Sequence, residues 1–190
     1  MKKKIAIFAS GSGTNAEKFF EYFKNSSQIE ITLVLSNNPQ AYALERARNH
    51  KVPTHVFSRS EFQHSEEVLN MLRDEKIDYI VLAGFLWLIP ANLIKAFPDR
   101  IINIHPALLP KYGGKGMYGM RVHEQVKRNE ESKTGITIHL VNEAYDEGKI
   151  LFQKETMIKP SDAPKDIAHK IHALEHKYFP EIVESFILKN

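Results

Sequence analysis

Cysteine is absent from the 190 residues, which removes disulfide scaffolding, thiolate metal sites and thiol nucleophiles together. That absence suits a reducing compartment, and a cytoplasmic protein is expected. No apolar run reaches the roughly 18 to 20 residues needed to cross a bilayer. The longest candidate, Tyr79 to Ile89, is interrupted by Gly84 and followed by Pro90, so no membrane partner is expected. The opening Lys2-Lys3-Lys4 ahead of Ile5-Ala6-Ile7-Phe8-Ala9 falls short of the roughly 7 to 15 apolar residues of a secretory leader and reads as a buried strand. A strong charge of either sign is also missing. Lys and Arg total 26 against 23 Asp and Glu, a formal net charge of +3, too mild and too evenly mixed for a nucleic-acid binder. Any anionic partner must be held locally. Neither GxSxG nor HExxH occurs, and although His172 and His176 stand at i and i+4, no nearby Glu completes the zinc motif, so no metal is expected.

The chain does contain short apolar runs alternating with segments of helical period. Ile5 to Ala9, Ile31 to Ser36, His55 to Phe57, Tyr79 to Ala83 and Ile101 to Ile104 read as strands. Ala16 to Lys24 repeats apolar positions at Phe19, Phe20 and Phe23, and a segment opened by Ser60 places Val68, Leu69 and Leu72 on one face. After a long glycine-bearing loop, Leu108 to Gly119, two further strands follow, Gly135 to Val141 and Lys149 to Met157. Ser161 then starts a closing helix with Ile167, Ile171, Leu174 and Tyr178 on one side, which Pro180 should break or bend. Alternation of this kind predicts one α/β domain over residues 1–190, with a mostly parallel twisted sheet and helices on both faces.

Ser10-Gly11-Ser12-Gly13-Thr14-Asn15 falls between the first strand and the first helix. Glycine permits tight turning there, and the start of a helix offers free N–H groups to an anion. The loop lacks the Lys of a P-loop and the third Gly of GxGxxG, so a single phosphate fits better than a dinucleotide. Gly13, Thr14 and Asn15 are the expected phosphate ligands. The plainer reading makes Thr14 or Asn15 an N-cap of a strand-to-helix turn.

Asn103 and His105 lie two apart at the end of a predicted strand, so their side chains leave on the same face. An Asn amide can donate to a developing oxyanion and a His can exchange a proton near neutrality, which are the demands of acyl transfer. A nearby carboxylate favours the imidazolium, and Asp146 in the turn Asn142 to Gly148 is the candidate for that part. Two alternatives stay open on spacing alone: His105 as a hydrogen-bonded group in a packed strand end, and Asp146 as an Asx-turn residue ahead of Gly148. His139 alternates with Ile138 and Leu140 and faces away from them.

Taken in order, Ser10 to Asn15, Ala83-Gly84-Phe85, Asn103-Ile104-His105-Pro106-Ala107-Leu108-Leu109-Pro110 and His139-Leu140-Val141 ahead of Asp146 resemble the folate-dependent formyltransferases of the phosphoribosylglycinamide type, from Ile5 to about Pro180. The resemblance implies a Rossmann-like formyltransferase fold whose residues 1–100 form a phosphate-binding half and residues 101–190 a catalytic and folate-binding half. It implies transfer of the formyl group of 10-formyltetrahydrofolate, as cosubstrate, to the amine of 5-phosphoribosylglycinamide in purine synthesis. In those enzymes the Asn orients the formyl oxygen, the His is the acid, and the Asp raises its pKa; here these are Asn103, His105 and Asp146. Leu86, Trp87, Leu88, Ile89, Asn103, Val141 and Asp146 would hold the folate, and Glu175 would meet the ribose hydroxyls. Without the resemblance, Leu86 to Ile89 read as core and Glu175 as an exposed helix charge.

The sequence departs from the pattern at Trp87, where Arg is common, at Ala107, where Ser is usual, and between Phe62 and Val68, which holds no Arg. The loop Gly113 to Met120 is longer than in the common bacterial form and is a candidate lid, with Lys111 and Lys115 offering charge to the anionic substrates. The expected partners are the two small molecules alone, with the protein a monomer or homodimer. Competing assignments are a formyltetrahydrofolate hydrolase, which adds an N-terminal regulatory domain, and a methionyl-tRNA formyltransferase, which normally adds an RNA-binding domain for which the chain ends too early. A non-catalytic phosphate- or nucleotide-binding module is the third, and it leaves Asn103, His105 and Asp146 unexplained.

Overall fold

Ile5 and Ile7 point into one hydrophobic core and Ala6 and Phe8 into another, as the period of two in β1 (Lys3–Phe8) requires of a strand buried on both faces. The computed structural model describes residues 2–190. Its seven-stranded sheet runs in the order β3-β2-β1-β4-β5-β6-β7. The remaining strands are β2 (Ile29–Ser36), β3 (Thr54–Val56), β4 (Tyr79–Leu82), β5 (Ile101–His105), β6 (Lys133–Leu140) and β7 (Ile150–Met157). Pairings among β1 to β5 are parallel; β6 and β7 join antiparallel. The α/β fold with a mostly parallel sheet is thus the one expected.

Helices cover both faces. α1 (Thr14–Phe23), α2 (Tyr42–Asn49), α6 (Met120–Arg128) and α7 (Pro164–Lys189) bury Phe19, Leu44, Val122 and Ile171 in the core that holds Ile5 and Ile7. α3 (Arg59–His64), α4 (Glu67–Asp74) and α5 (Ala91–Ala96) bury Phe62, Leu72 and Leu93 in the core that holds Phe8. On α7 the buried stripe steps by four through Ile167, Ile171, Glu175, Phe179, Val183 and Ile187, one turn at a time. Leu174 and Tyr178, expected on that face, are only partly buried beside it.

Two expectations need correction. The segment opened by Ser60 is two helices: Ser58 is the N-cap of α3, its hydroxyl accepting from the Glu61 N–H at 3.2 Å, and Ser65 in extended backbone ends it before α4 begins. α7 runs through Pro180 without interruption. One missing N–H is offset there by the burial of Pro180 itself. The loop expected over Leu108 to Gly119 runs to the start of α6 at Met120.

Candidate active site

β1, β2 and β3 are laid down on one side of the sheet's starting point and β4 and β5 on the other, so the connections diverge between β1 and β4. Crevices at the carboxyl ends of strands form at such points. A cleft of about 640 Å³ opens there, bounded by Ser10 to Asn15, Leu82 to Ile89, Asn103 to Pro106, the 114–119 loop, the 141–146 turn and one turn of α7.

At one end the glycine loop follows β1. Gly13 sits at φ 70° and is the N-cap of α1; a Cβ on it would lie 2.5 Å from the Ala43 Cα, so α2 and the loop pack together only around glycine. Neither Thr14 nor Asn15 is the N-cap, and no side chain caps this helix. Among the described residues, the N–H groups of Gly13, Thr14 and Asn15 have no acceptor. These free donors at a helix start are what an anion would satisfy. The loop is held from behind: Ser10 Oγ donates to Asn37 Oδ1 at 2.6 Å and accepts from the Leu86 N–H at 3.1 Å, while Arg46 Nε donates to the Ser12 carbonyl at 2.9 Å. Asn15 turns its amide inward and donates to Glu175 Oε2 at 2.9 Å. Glu175 is therefore a buried carboxyl on the cleft wall, 6% exposed, and not an exposed helix charge.

Across the cleft, β5 presents Asn103 and His105, and the 141–149 turn brings Asp146 to them. His105 Nδ1 lies 3.5 Å from Asp146 Oδ2, while its Nε2–H donates to the Tyr112 carbonyl at 2.7 Å. Both ring nitrogens thus face oxygen, a geometry that only the imidazolium satisfies fully. Burial, with 3% of the residue exposed, pulls the other way and is the largest cause of a net shift below the ordinary His value; the Asp146 charge and the Tyr112 carbonyl raise the pKa, and the neighbouring His139 lowers it. Asp146 thus acts to favour a protonated His105, and desolvation outweighs it. Burial also works to raise Asp146, yet the His139 and His105 side chains and the Gly114 N–H, at 3.0 Å from Oδ2, keep it below the ordinary carboxyl range. Asp146 itself stands at φ 57°.

His139 enters the same group. It lies opposite Asn103 in the antiparallel pairing of β5 and β6, facing away from Ile138 and Leu140 as its alternation predicts. Its Nδ1–H donates to the Leu140 carbonyl at 2.8 Å, leaving Nε2 to accept from the Asn103 amide at 3.0 Å. One Asn103 N–H is thereby fixed, and its other N–H and its oxygen have no partner among the described residues. His139 Nε2 also lies 3.6 Å from Asp146 Oδ1. Behind the strand, Thr137 Oγ1 donates to the Ala107 carbonyl at 2.7 Å and accepts from the Leu109 N–H at 3.0 Å, clamping the Pro106–Pro110 segment.

Leu86, Trp87, Leu88 and Ile89 line the opposite wall with Val141. Trp87 leans on Phe57, Phe62 and Phe85, with the Arg59 guanidinium 5.6 Å from its ring. Gln63 Nε2 holds the Leu88 carbonyl at 3.0 Å. Lys115 borders the cleft, but Lys111 does not: its Nζ pairs with Glu131 at 2.9 Å outside it. Sequence reasoning missed His123 on α6, which is 3% exposed, borders the cleft and has an Nδ1 without a partner among the described residues. Burial drives its pKa down to about 4. No spacing signal marks it, since α6 is polar at most positions. Among the described residues no group of three or more His, Asp and Glu is disposed to hold a metal ion.

The sequence model of the formyl transferase family matches residues 3–183. The chain is 40% identical over 188 residues to a chloroplastic phosphoribosylglycinamide formyltransferase of Arabidopsis thaliana, covering 96% of this chain and 64% of that protein. A relative of that name from Bacillus subtilis (strain 168) is 34% identical over 190 residues, covering 97% and 95%. This chain therefore spans a little under two thirds of the plant relative's length and nearly all of the bacterial one. Among solved structures, glycinamide ribonucleotide transformylase 1 from Geobacillus kaustophilus superposes with a TM-score of 0.89 at 34% identity, covering 98% of this chain and 99% of that one. The phosphoribosylglycinamide formyltransferase from Bacillus halodurans gives 0.88 at 35%, covering 97% and 95%.

Proposed function

We propose, from the premise that this chain belongs to the formyl transferase family, that it transfers the formyl group of 10-formyltetrahydrofolate to the amine of 5-phosphoribosylglycinamide in purine biosynthesis. The observation that carries this reading is the placing of Asn103, His105 and Asp146 on the wall of a cleft that continues to the free N–H groups of the glycine loop. One end suits a phosphate, the other a carbonyl undergoing attack, and the apolar stretch Leu86 to Ile89 with Val141 suits the flat pterin of the carrier.

In this reading Gly13, Thr14 and Asn15 hold the phosphate through backbone N–H groups, and Glu175 accepts from the ribose hydroxyls. Asn103, steadied by His139, directs its free N–H to the formyl oxygen, where negative charge develops as the amine nitrogen bonds to the formyl carbon. That charge adds to Asp146 in favouring the imidazolium of His105, against the burial that otherwise opposes it. His105 then protonates the departing nitrogen of the carrier as the carbon–nitrogen bond breaks, and the proton the amine loses passes to solvent, from which His105 regains its own. The products are the formylated amine and tetrahydrofolate. The enzyme would act in the cytoplasm, as a monomer or homodimer, on these two small molecules.

The test is incubation with both substrates and measurement of formylated product against loss of the carrier's formyl form. Formyl loss with no acceptor consumed would identify water as the acceptor and overturn the proposal. His105→Ala should lower kcat by about 10² to 10⁴. Asp146→Asn should move the pH limb reporting His105 protonation to lower pH, because the larger of the two influences that raise its pKa is gone. Parent rates in both variants would sink the assigned roles.

A further inference from the structure

We infer that Glu131 and Asn129, acting through the side chain of Tyr112, are positioning residues that hold the Tyr112 carbonyl against the His105 imidazole; the inference rests on the reading of His105 as the proton donor. Tyr112 is the residue whose main chain meets the ring, with its carbonyl 2.7 Å from Nε2. It does so from φ 59°, a left-handed conformation that costs a non-glycine residue on the order of 1 kcal/mol and persists only where the surroundings enforce it.

The surroundings are specific. The Tyr112 hydroxyl donates to Glu131 Oε1 at 2.9 Å and accepts from Asn129 Nδ2 at 2.9 Å. Lys111 Nζ meets the same Glu131 oxygen at 2.9 Å, and Lys111 and Tyr112 keep that carboxyl below its ordinary range. Asn129 and Glu131 lie in the short connection between α6 and β6, and β6 carries Thr137 and His139. The hydroxyl of Tyr112 therefore ties a glycine-rich loop to the connection that leads into β6.

Two residues further on, the Gly114 N–H holds Asp146 Oδ2 at 3.0 Å. One short stretch thus fixes the oxygens on both sides of the imidazole. Release of the phenol would let the carbonyl drift and leave His105 with burial, Asp146 from the late turn, His139 from β6 and His123 from α6 as the groups acting on it. The loss falls on the side that raises its pKa.

The test uses the full-length protein with isotope-labelled histidine, and reads the His105 imidazole pKa by NMR titration without substrates, then kcat and both KM values. Tyr112→Phe, which removes only the hydroxyl, and Glu131→Ala should each lower the His105 pKa by at least half a unit and kcat by about tenfold, with KM values within about twofold. Glu131→Gln, which can still accept from the phenol, should restore most of both. Asn129→Ala, at an exposed position, supplies the same readout if either variant fails to fold. A His105 pKa unchanged in the folded variants overturns the inference whatever kcat does. A parent protein without formyl transfer would sink the proposed function and leave the titration result standing on its own.

Discussion

The side-chain amide of Asn15 donates to Glu175 Oε2 at 2.9 Å, joining the start of α1 to the middle of α7 across 160 positions of the chain. Glu175 has no other hydrogen-bond partner among the described residues. Burial lifts its pKa to about 7, and the Asn15 amide pulls it the other way.

The share of stability that Glu175 contributes should therefore fall as pH rises. The folded-state pKa of Glu175, about 7, lies above its ordinary 4.5, so the folded chain holds more protons between those values. The stabilisation is complete below the lower value and is lost as pH climbs through the upper one, on the order of 3 kcal/mol in all. Glu175→Gln keeps an acceptor for Asn15 but no charge. Thermal melting at about pH 5 and about pH 8 should show the parent losing more than the variant; equal losses would mean the carboxyl does not titrate there.

Glycine at two positions should be indispensable for different reasons. A Cβ at Gly148 would stand 1.7 Å from the Leu140 carbonyl oxygen, so Gly148→Ala must displace the turn carrying Asp146. The expected cost is about 2 to 3 kcal/mol in urea unfolding, with kcat falling more than either KM rises. Gly13→Ala meets Ala43 and a positive φ, and should raise KM for the phosphorylated substrate about tenfold by tilting the N–H donors. A folded Gly13→Ala protein with the parent KM would remove the loop from the phosphate site.

Deletion of Lys115 to Gly119 should impair turnover well before it impairs folding. The segment borders the cleft, and only Met117 in it packs against the core. The comparison is kcat against melting temperature in one protein, and parallel losses would make the loop a structural element.

Trp87 should bear on the carrier and not on the phosphorylated substrate. Its ring centroid lies 6.1, 6.0 and 6.3 Å from those of Phe57, Phe62 and Phe85. Trp87→Ala should cost about 2 kcal/mol and raise KM for the formyl donor severalfold. A matching rise for the other substrate would point to a general collapse of the cleft wall.

The sheet and the polar group on β5 were readable wherever the pattern was local. Ile5 to Phe8 announced a strand buried on both faces, and Asn103 with His105 announced two side chains on one face of a strand, because a period of two needs only neighbours. α2, α5 and α6 went unannounced, since α5 is six residues long and α6 buries only Val122, His123 and Val126 among polar neighbours. Glu175 was readable in retrospect: it occupies one step of an otherwise apolar four-residue stripe, where a carboxyl is exceptional. The partnership of His105 with Tyr112 was not readable at all, because it uses a main-chain oxygen that any residue could supply. The pairing of Asn103 with His139 depended on the register of β5 against β6, which spacing within one strand does not determine.

α7 packs on α1, α6, β5, β6 and β7 and closes the face where Ile7, Phe19, Ile102 and Ile136 are buried. A chain lacking α7 would already possess the glycine loop and the strand of His105, yet the part of that face between α1 and α6 would be wet. The cleft would gain the carboxyl at its far end only in the same event that seals the core.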